Sequence, residues 1–236
     1  MPPRARSNGS AGDPGAVRKD GAAAPPVARL AANQLRRMRR IVDAAVDLAE
    51  KGGFEAVRLR DVAERSDVAL GTLYKYFRSK EDILLFALNE QLERLEQLMA
   101  ARPIAGGRPY ARAGEFFRRA TRALARRPQF ARALIRAMAT GDQATAMKIA
   151  AFQLRISRLI SSALRGSAPS APDGTPIAAA ELARGEDVLA HTLMHVWFSS
   201  LVGWSAGLHT ERAVVEQVRA AAQLMLDGAN GRRERT

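Results

Sequence analysis

The stretch Leu59-Arg60-Asp61-Val62-Ala63-Glu64-Arg65-Ser66-Asp67-Val68-Ala69-Leu70-Gly71-Thr72-Leu73-Tyr74-Lys75-Tyr76-Phe77 decides the fold. Leu59, Val62 and Ala63 mark one short helix, Ser66-Asp67 a tight turn, and residues 69–77 a second helix. Leu73 and Phe77, four apart, face inward with Val62 and Val68, which turns Tyr74, Lys75 and Tyr76 outward. Two short helices across a tight turn form a helix-turn-helix, whose second helix enters the DNA major groove. Small Gly71 and Thr72 let the start of that helix approach base edges, while the hydroxyls and ammonium group that follow suit phosphate and base contacts.

Upstream, Met38, Ile41, Val42, Ala45, Leu48 and Ala49 recur at helical spacing, and Gly52-Gly53 stops that helix. Downstream, Ser79-Lys80-Glu81-Asp82 has the form of a capping box and opens a fourth helix through Ile83, Leu84, Ala87, Leu88, Leu92, Leu95 and Met99. After breaks at Arg102-Pro103 and Gly106-Gly107, helices are expected at 109–126, 128–140, 143–165, 177–208 and 211–226. No alternating strand pattern competes, so the fold class is all-α with about nine helices. The expected organisation is a disordered basic arm over 1–32, a helix-turn-helix DNA-binding domain over 33–80, a larger ligand-binding and dimerisation core over 81–227, and a flexible tail over 228–236.

The 236 residues carry 37 Lys plus Arg, 32 of them Arg, against 24 Asp plus Glu, a formal charge of +13. That charge is not one surface. Residues 1–40 hold +7, the helix-turn-helix stretch 41–80 is neutral, 81–101 hold −4, and 102–136 hold +9. The arm either tracks a neighbouring groove of DNA or is a solvated tail that raises association rate. With no Cys there is no disulfide framework, thiolate metal site or Cys nucleophile, which fits a cytoplasmic, nucleoid-associated protein. The most apolar run, 188–202, is shorter than a membrane span and contains His191 and His195, so no membrane association is expected. Paired carboxylates, a nucleophile elbow and a phosphate-cradling Gly loop are absent, so the chain reads as a non-enzyme with no catalytic residues. Asp187, His191 and His195, spaced by four, could ligate a metal, but no fourth ligand is evident, and His on an apolar helix more often serves as a hydrogen-bonded core residue.

The segments Gly52-Gly53-Phe54-Glu55-Ala56, Arg60-Asp61-Val62-Ala63, Gly71-Thr72-Leu73-Tyr74-Lys75-Tyr76-Phe77 and Ser79-Lys80-Glu81 together resemble the TetR family of bacterial transcriptional repressors. The resemblance implies an all-helical homodimer with one DNA-binding head per subunit and a variable core whose ligand releases a palindromic operator. Carried over by position, DNA contacts fall on Arg58, Leu59, Arg60, Leu70, Gly71, Thr72, Tyr74, Lys75, Tyr76 and Lys80. Three positions depart from the family pattern. Arg58 stands where a capping Thr is usual, Asp67 where Gly is usual, and Ala69 where Ser often caps the third helix. Asp tolerates a left-handed turn, and each missing hydroxyl cap costs about 1 kcal/mol.

Arg112, Arg119, Arg122 and Arg126 lie near one face of the fifth helix, extended by Arg118, Arg127, Arg132 and Arg136. They are either a solvated face or the holders of an anionic ligand group. Phe116, Phe117, Phe130, Met138, Met147, Phe152, Ile156, Leu193, Trp197, Leu201 and Trp204 are either ordinary core or the walls of an apolar cavity. The candidate ligand-binding set is Phe116, Phe117, Arg119, Arg122, Met138, Phe152, Ile156, Leu193, Trp197, Leu201 and Trp204. The segments around Val196-Trp197 and Gly203-Trp204 resemble the subgroup controlling sterol catabolism, which senses steroid acyl-CoA thioesters. Long-chain acyl-CoA competes as effector, and no cofactor beyond that small molecule is implied. By the same resemblance the last two helices form the dimer interface. Ser199, Ser200, Gly203 and Ala206 would allow close helix approach, while Ala213, Val214, Val218, Ala221 and Leu224 form a stripe a lone monomer would expose. The rival readings are a non-specific basic DNA-coating protein, a related regulator of an efflux pump that senses lipophilic drugs, and a helical enzyme using the pocket.

Overall fold

The computed structural model describes residues 26–139, 143–166 and 184–233, with side chains for 33–139, 143–166 and 187–228. Among the described residues there are nine helices and no strand: α1 (Pro26–Ala56), α2 (Leu59–Arg65), α3 (Leu70–Tyr76), α4 (Lys80–Ala101), α5 (Pro109–Ala125), α6 (Pro128–Ala139), α7 (Gln143–Arg165), α8 (Arg184–Ser205) and α9 (Glu211–Arg233). Helix α1 begins inside the stretch expected to be arm, and α9 runs into the stretch expected to be tail. Residues 1–25 of the arm, the Gly141-Asp142 turn, the expected start of the eighth helix at 177 and the final residues 234–236 lie outside the described residues.

The head forms as its apolar spacing dictates. Ile41, Val42, Ala45 and Ala49 of α1 are buried with Val62 and Ala63 of α2, Leu73 of α3 and Phe77. Gly53, at φ 67°, supplies the left-handed turn that returns Phe54 and Val57 to this core. Asp67 also sits at φ 53°, so the family's Gly position keeps its turn with an Asp. Neither Arg58 nor Ala69 caps its helix with a side chain, as the missing hydroxyls imply. Ser79 Oγ accepts the Asp82 N–H at 3.2 Å, but the Asp82 carboxylate reaches back one residue further than a capping box does, to the Arg78 N–H at 3.2 Å.

In the remainder, α5 packs chiefly on α9 and α7, α8 on α9 and α7, and α4 on α6 and α7. Arg155 of α7 ties that helix to α4 through Glu96 at 2.7 Å and Asn89 Oδ1 at 3.2 Å. Arg112 belongs neither to a solvated face nor to an anion site. Its Nε donates to Ala163 O at 3.1 Å and its Nη2 to Leu164 O, so a cation closes the carbonyl end of α7 beside Gly166 at φ 75°. Bonds from a charged donor contribute about 1.5–3 kcal/mol. Arg112→Ala is therefore expected to destabilise by about 2 kcal/mol, which at this chain length is a fall of roughly 4–8 °C in Tm. A thermal melt followed by circular dichroism checks this, and an unchanged Tm would remove the closing role.

Candidate nucleic-acid interface and effector cavity

On the head, Arg58, Arg60, Gly71 and Lys75 are exposed, Tyr74 is 52% exposed, and Thr72 is half-buried. Leu59, Leu70 and Tyr76 are half-buried against the hydrophobic core, so Tyr76 does not stand outward with its two neighbours as its spacing predicts. It follows Leu73 by three, on the inward side of a helix only two turns long. Gly71 sits in open space, since a Cβ there would meet nothing within 4 Å. Among the described residues nothing requires it to be small. In an exposed helix Gly→Ala raises stability by roughly 0.5–1 kcal/mol. Gly71→Ala is therefore expected to melt higher yet bind operator at least tenfold more weakly, because a methyl group would stand between helix backbone and DNA. Unchanged affinity in a fluorescence-anisotropy titration would mean that nothing approaches this position.

Lys80, placed among the DNA contacts by resemblance, is engaged within the chain. Its Nζ donates to Phe54 O at 3.3 Å, pairs with Glu55 Oε2 at 3.4 Å and stands 3.8 Å from the centroid of the Phe54 ring. Sequence reasoning marked the residue; the structure makes it the bolt between the first turn of α4 and the end of α1. Further contacts join the head, and the first turn of α4, to α6 and α7. Glu50 Oε2 accepts the Phe130 N–H at 3.0 Å in the first turn of α6, Arg136 Nη2 pairs with Glu55 at 2.6 Å, and Lys148 of α7 pairs with Asp82. Helices α4 and α6 are thus each connected to the head, and α7 to the first turn of α4.

Those three helices, with α5 and α8, enclose a cavity of about 130 Å³. Met138, Phe152, Ile156, Trp197 and Leu201 of the candidate set line it. The other six candidates do not. Phe116, Phe117 and Leu193 are fully buried in the helix-packing core, where Phe117 stacks against Trp197 at 5.6 Å, and Trp204 is half-buried outside the cavity. Arg119 donates to Glu115 Oε1 at 2.8 Å and Arg102 O at 2.6 Å, while Arg122 lines a separate surface groove between α5 and α9. Glu115 lies between two guanidiniums, and hydrogen bonding from Arg118, joined by Arg119, holds its carboxyl below the usual range. Sequence reasoning missed Leu88, Gln91, Leu92 and Leu95 of α4, Leu134 and Ile135 of α6, and Gln153, Met194, His195 and Phe198. A second apolar residue at i+3 or i+4 on these helices was the available signal.

The cavity is almost wholly apolar; Gln91, Gln153 and His195 are its polar groups. Trp197 Nε1 is spent on Thr121 Oγ1 at 2.9 Å. His195 Nδ1 lies 2.8 Å from His191 O, and no group of three His, Asp or Glu side chains among the described residues is placed to hold a metal. A cavity of about 150 Å³ takes a benzene molecule. The present volume therefore accepts a ring-sized group.

The expected interface stripe on α9 is corrected. Val214 and Val218 are 0% exposed in the single chain, packed with α9 against its neighbours. The His209 ring lies over Gly203, where a Cβ would come within 2.3 Å of it unless the ring moved. Ser200 Oγ bonds Gln217 Oε1 at 2.7 Å across the α8–α9 seam. Ser199 is exposed and Ala221 half-buried; the large apolar groups left in the open are Val188 and Val202 of α8, Leu208 in the turn that follows, and Leu224 of α9. No helix among the described residues is long and apolar enough to cross a membrane.

A helix-turn-helix head joined to a larger helical core is the architecture of a class of DNA-binding regulators. Residues 41–86 match the family described as bacterial regulatory proteins, tetR family, and residues 106–225 match the tetracyclin repressor-like C-terminal domain. The chain belongs to the TetR family of transcriptional regulators. Its similar relatives include the HTH-type transcriptional repressor KstR of Rhodococcus jostii, 34% identical across 85% of this chain and 88% of that protein, and KstR of Mycolicibacterium smegmatis, 33% identical across 82% and 88%. Among solved structures, a TetR regulator from Rhodococcus sp. RHA1 superposes with TM-score 0.68 at 24% identity, covering 82% of this chain and 97% of that one. Thermus thermophilus FadR, a TetR-family repressor in complex with lauroyl-CoA, superposes at 0.57 with 24% identity, covering 81% and 94%.

Proposed function

We propose that this chain is a homodimeric repressor of lipid or sterol catabolism that binds a palindromic operator and leaves it on binding a fatty or steroid acyl-CoA. The observation that carries the reading is the apolar cavity walled by α4 and α6, the two helices joined to the head through Lys80, Glu50 and Glu55. The relatives support the lipid arm over a drug-sensing one: two repressors named KstR exceed 30% identity, and FadR was solved with an acyl-CoA. The exposed Val202, Leu208 and Leu224 supply apolar surface for a second subunit.

The mechanism follows from size. Because a long acyl chain exceeds the present cavity, its entry separates α4 from α6 and α8, and both α4 and α6 pull on the head. Two heads reading successive major-groove faces must stand about 34–36 Å apart, so a small rotation of each disturbs both contacts. Coupling free energies of this kind run to about 1–3 kcal/mol, an expected 5- to 150-fold loss of operator affinity. The test is a mobility-shift titration on an operator selected with the protein, adding lauroyl-CoA, a steroid-CoA thioester, the free acids and CoA alone. Release by a thioester at micromolar concentration is expected; inaction of every thioester sinks the effector, and equal binding of scrambled DNA at matched salt sinks the repressor.

A further inference from the structure

We propose that the groove between α1 and the α4–α5–α6 side of the core is the seat for the anionic, phosphate-bearing headgroup of the effector whose tail fills the apolar cavity. This rests on the acyl-thioester reading above. The groove has a volume of about 430 Å³ and is bordered by Arg94 of α4 and by Arg126 and Arg127 at the end of α5, facing Asp43 and Val46 of α1. Gln91, Leu95, Ala123 and Leu124 line both spaces, so one layer of side chains separates groove from cavity.

The chemistry of the cavity demands such a neighbour. Among the described residues no Arg or Lys lines it, and an unpaired anion buried among its Leu, Ile and Phe side chains costs several kcal/mol. The headgroup must therefore leave by a route ending at cations. The Arg-rich alternative, the groove of Arg118, Arg122, Arg212 and Arg219, shares no lining residue with the cavity, and Thr121 on its floor is held by Trp197. Two of its guanidiniums are also committed, Arg118 to Glu115 and Arg212 to Glu216.

In the proposed seat, planar guanidiniums offer paired donors to phosphate. The acids there are Asp43 and Glu90. Burial pushes the Glu90 carboxyl up, with Arg94 and Arg39 opposing that and Asp43 and Glu93 adding to it. The position also reaches the head. Arg127 stands 4.0 Å from Asp47 of α1, and a phosphate that draws Arg127 away loosens that pairing while occupying space against α1.

The test uses the full chain, with lauroyl-CoA and dodecanol as probes in calorimetric or fluorescence titrations. An Arg94→Ala/Arg126→Ala double variant is expected to bind lauroyl-CoA at least tenfold more weakly, with a flatter salt dependence, while binding dodecanol like the parent and melting within a few degrees of it. An Arg118→Ala/Arg122→Ala variant is expected to bind both probes normally. Parent-like lauroyl-CoA affinity in the first variant, or transfer of the loss to the second, overturns the seat and leaves the effector reading standing. Failure of the parent chain itself to bind lauroyl-CoA or a steroid-CoA thioester overturns the effector reading and the seat with it.

Discussion

Lys75→Glu is expected to remove operator binding at physiological salt and to leave the fold intact. The side chain is exposed in the last turn of α3, beside Tyr74 and four residues from the open backbone of Gly71. Substitution at such a surface position moves stability by about 0.5 kcal/mol, plus a few tenths for placing an anion at a helix C-terminus. The effect on DNA is larger. A lost contact costs roughly 1–3 kcal/mol, and with one head per subunit of the proposed dimer the loss counts twice, about thirtyfold to ten-thousandfold in affinity. The slope of log affinity against log salt should shrink by about one for each phosphate contact removed. Lys80→Ala is the informative contrast, because that ammonium is engaged with Phe54 and Glu55 and its loss should weaken all DNA alike while lowering Tm. Anisotropy titrations on operator and scrambled duplexes at three salt concentrations distinguish the two. Undiminished operator binding by Lys75→Glu would remove α3 as the recognition helix.

What the sequence disclosed about the head was disclosed by local physics. Leu73 and Phe77 at i and i+4, an Asp able to hold φ 53°, and a Ser three residues before Asp82 are short-range facts, and each determines its own geometry. The cavity was only half legible. A helix face that is apolar at every third or fourth position looks the same whether it meets a neighbour or a void, so Phe116 and Phe117 could not be told from Phe152 and Ile156. The arginines failed for a related reason. Arg112 is partnered by carbonyls 51 and 52 residues away, which no spacing on its own helix announces. Val214 and Val218 were assigned to a partner subunit although their own α5 and α8 already cover them. The +9 block of residues 102–136 is thus divided by tertiary structure into helix closure at Arg112, carboxylate pairing at Arg118 and Arg119, head attachment at Arg136, and the groove at Arg126 and Arg127.

Filling the cavity should separate sensing from DNA binding more completely than any surface change. Ala131, 1% exposed on α6, borders the void, and Ala131→Phe adds a phenyl ring to a space of about 130 Å³. A cavity of about 150 Å³ binds benzene, so the ring is expected to fit at a stability cost no greater than the roughly 1–3 kcal/mol of a small-to-large core change. With that space taken, an acyl tail must open its entire volume against α4, α7 and α8, at the added cost of displacing a packed aromatic side chain. The expected result is parent-like operator affinity together with at least a hundredfold rise in the lauroyl-CoA concentration needed for release. A mobility-shift titration reads both quantities from one gel series. If Ala131→Phe instead leaves the operator unaided, the cavity still governs the head, but the filled state is then the released one. If it releases at the parent's concentration of thioester, the effector enters elsewhere and the cavity is only a packing defect of the helical core.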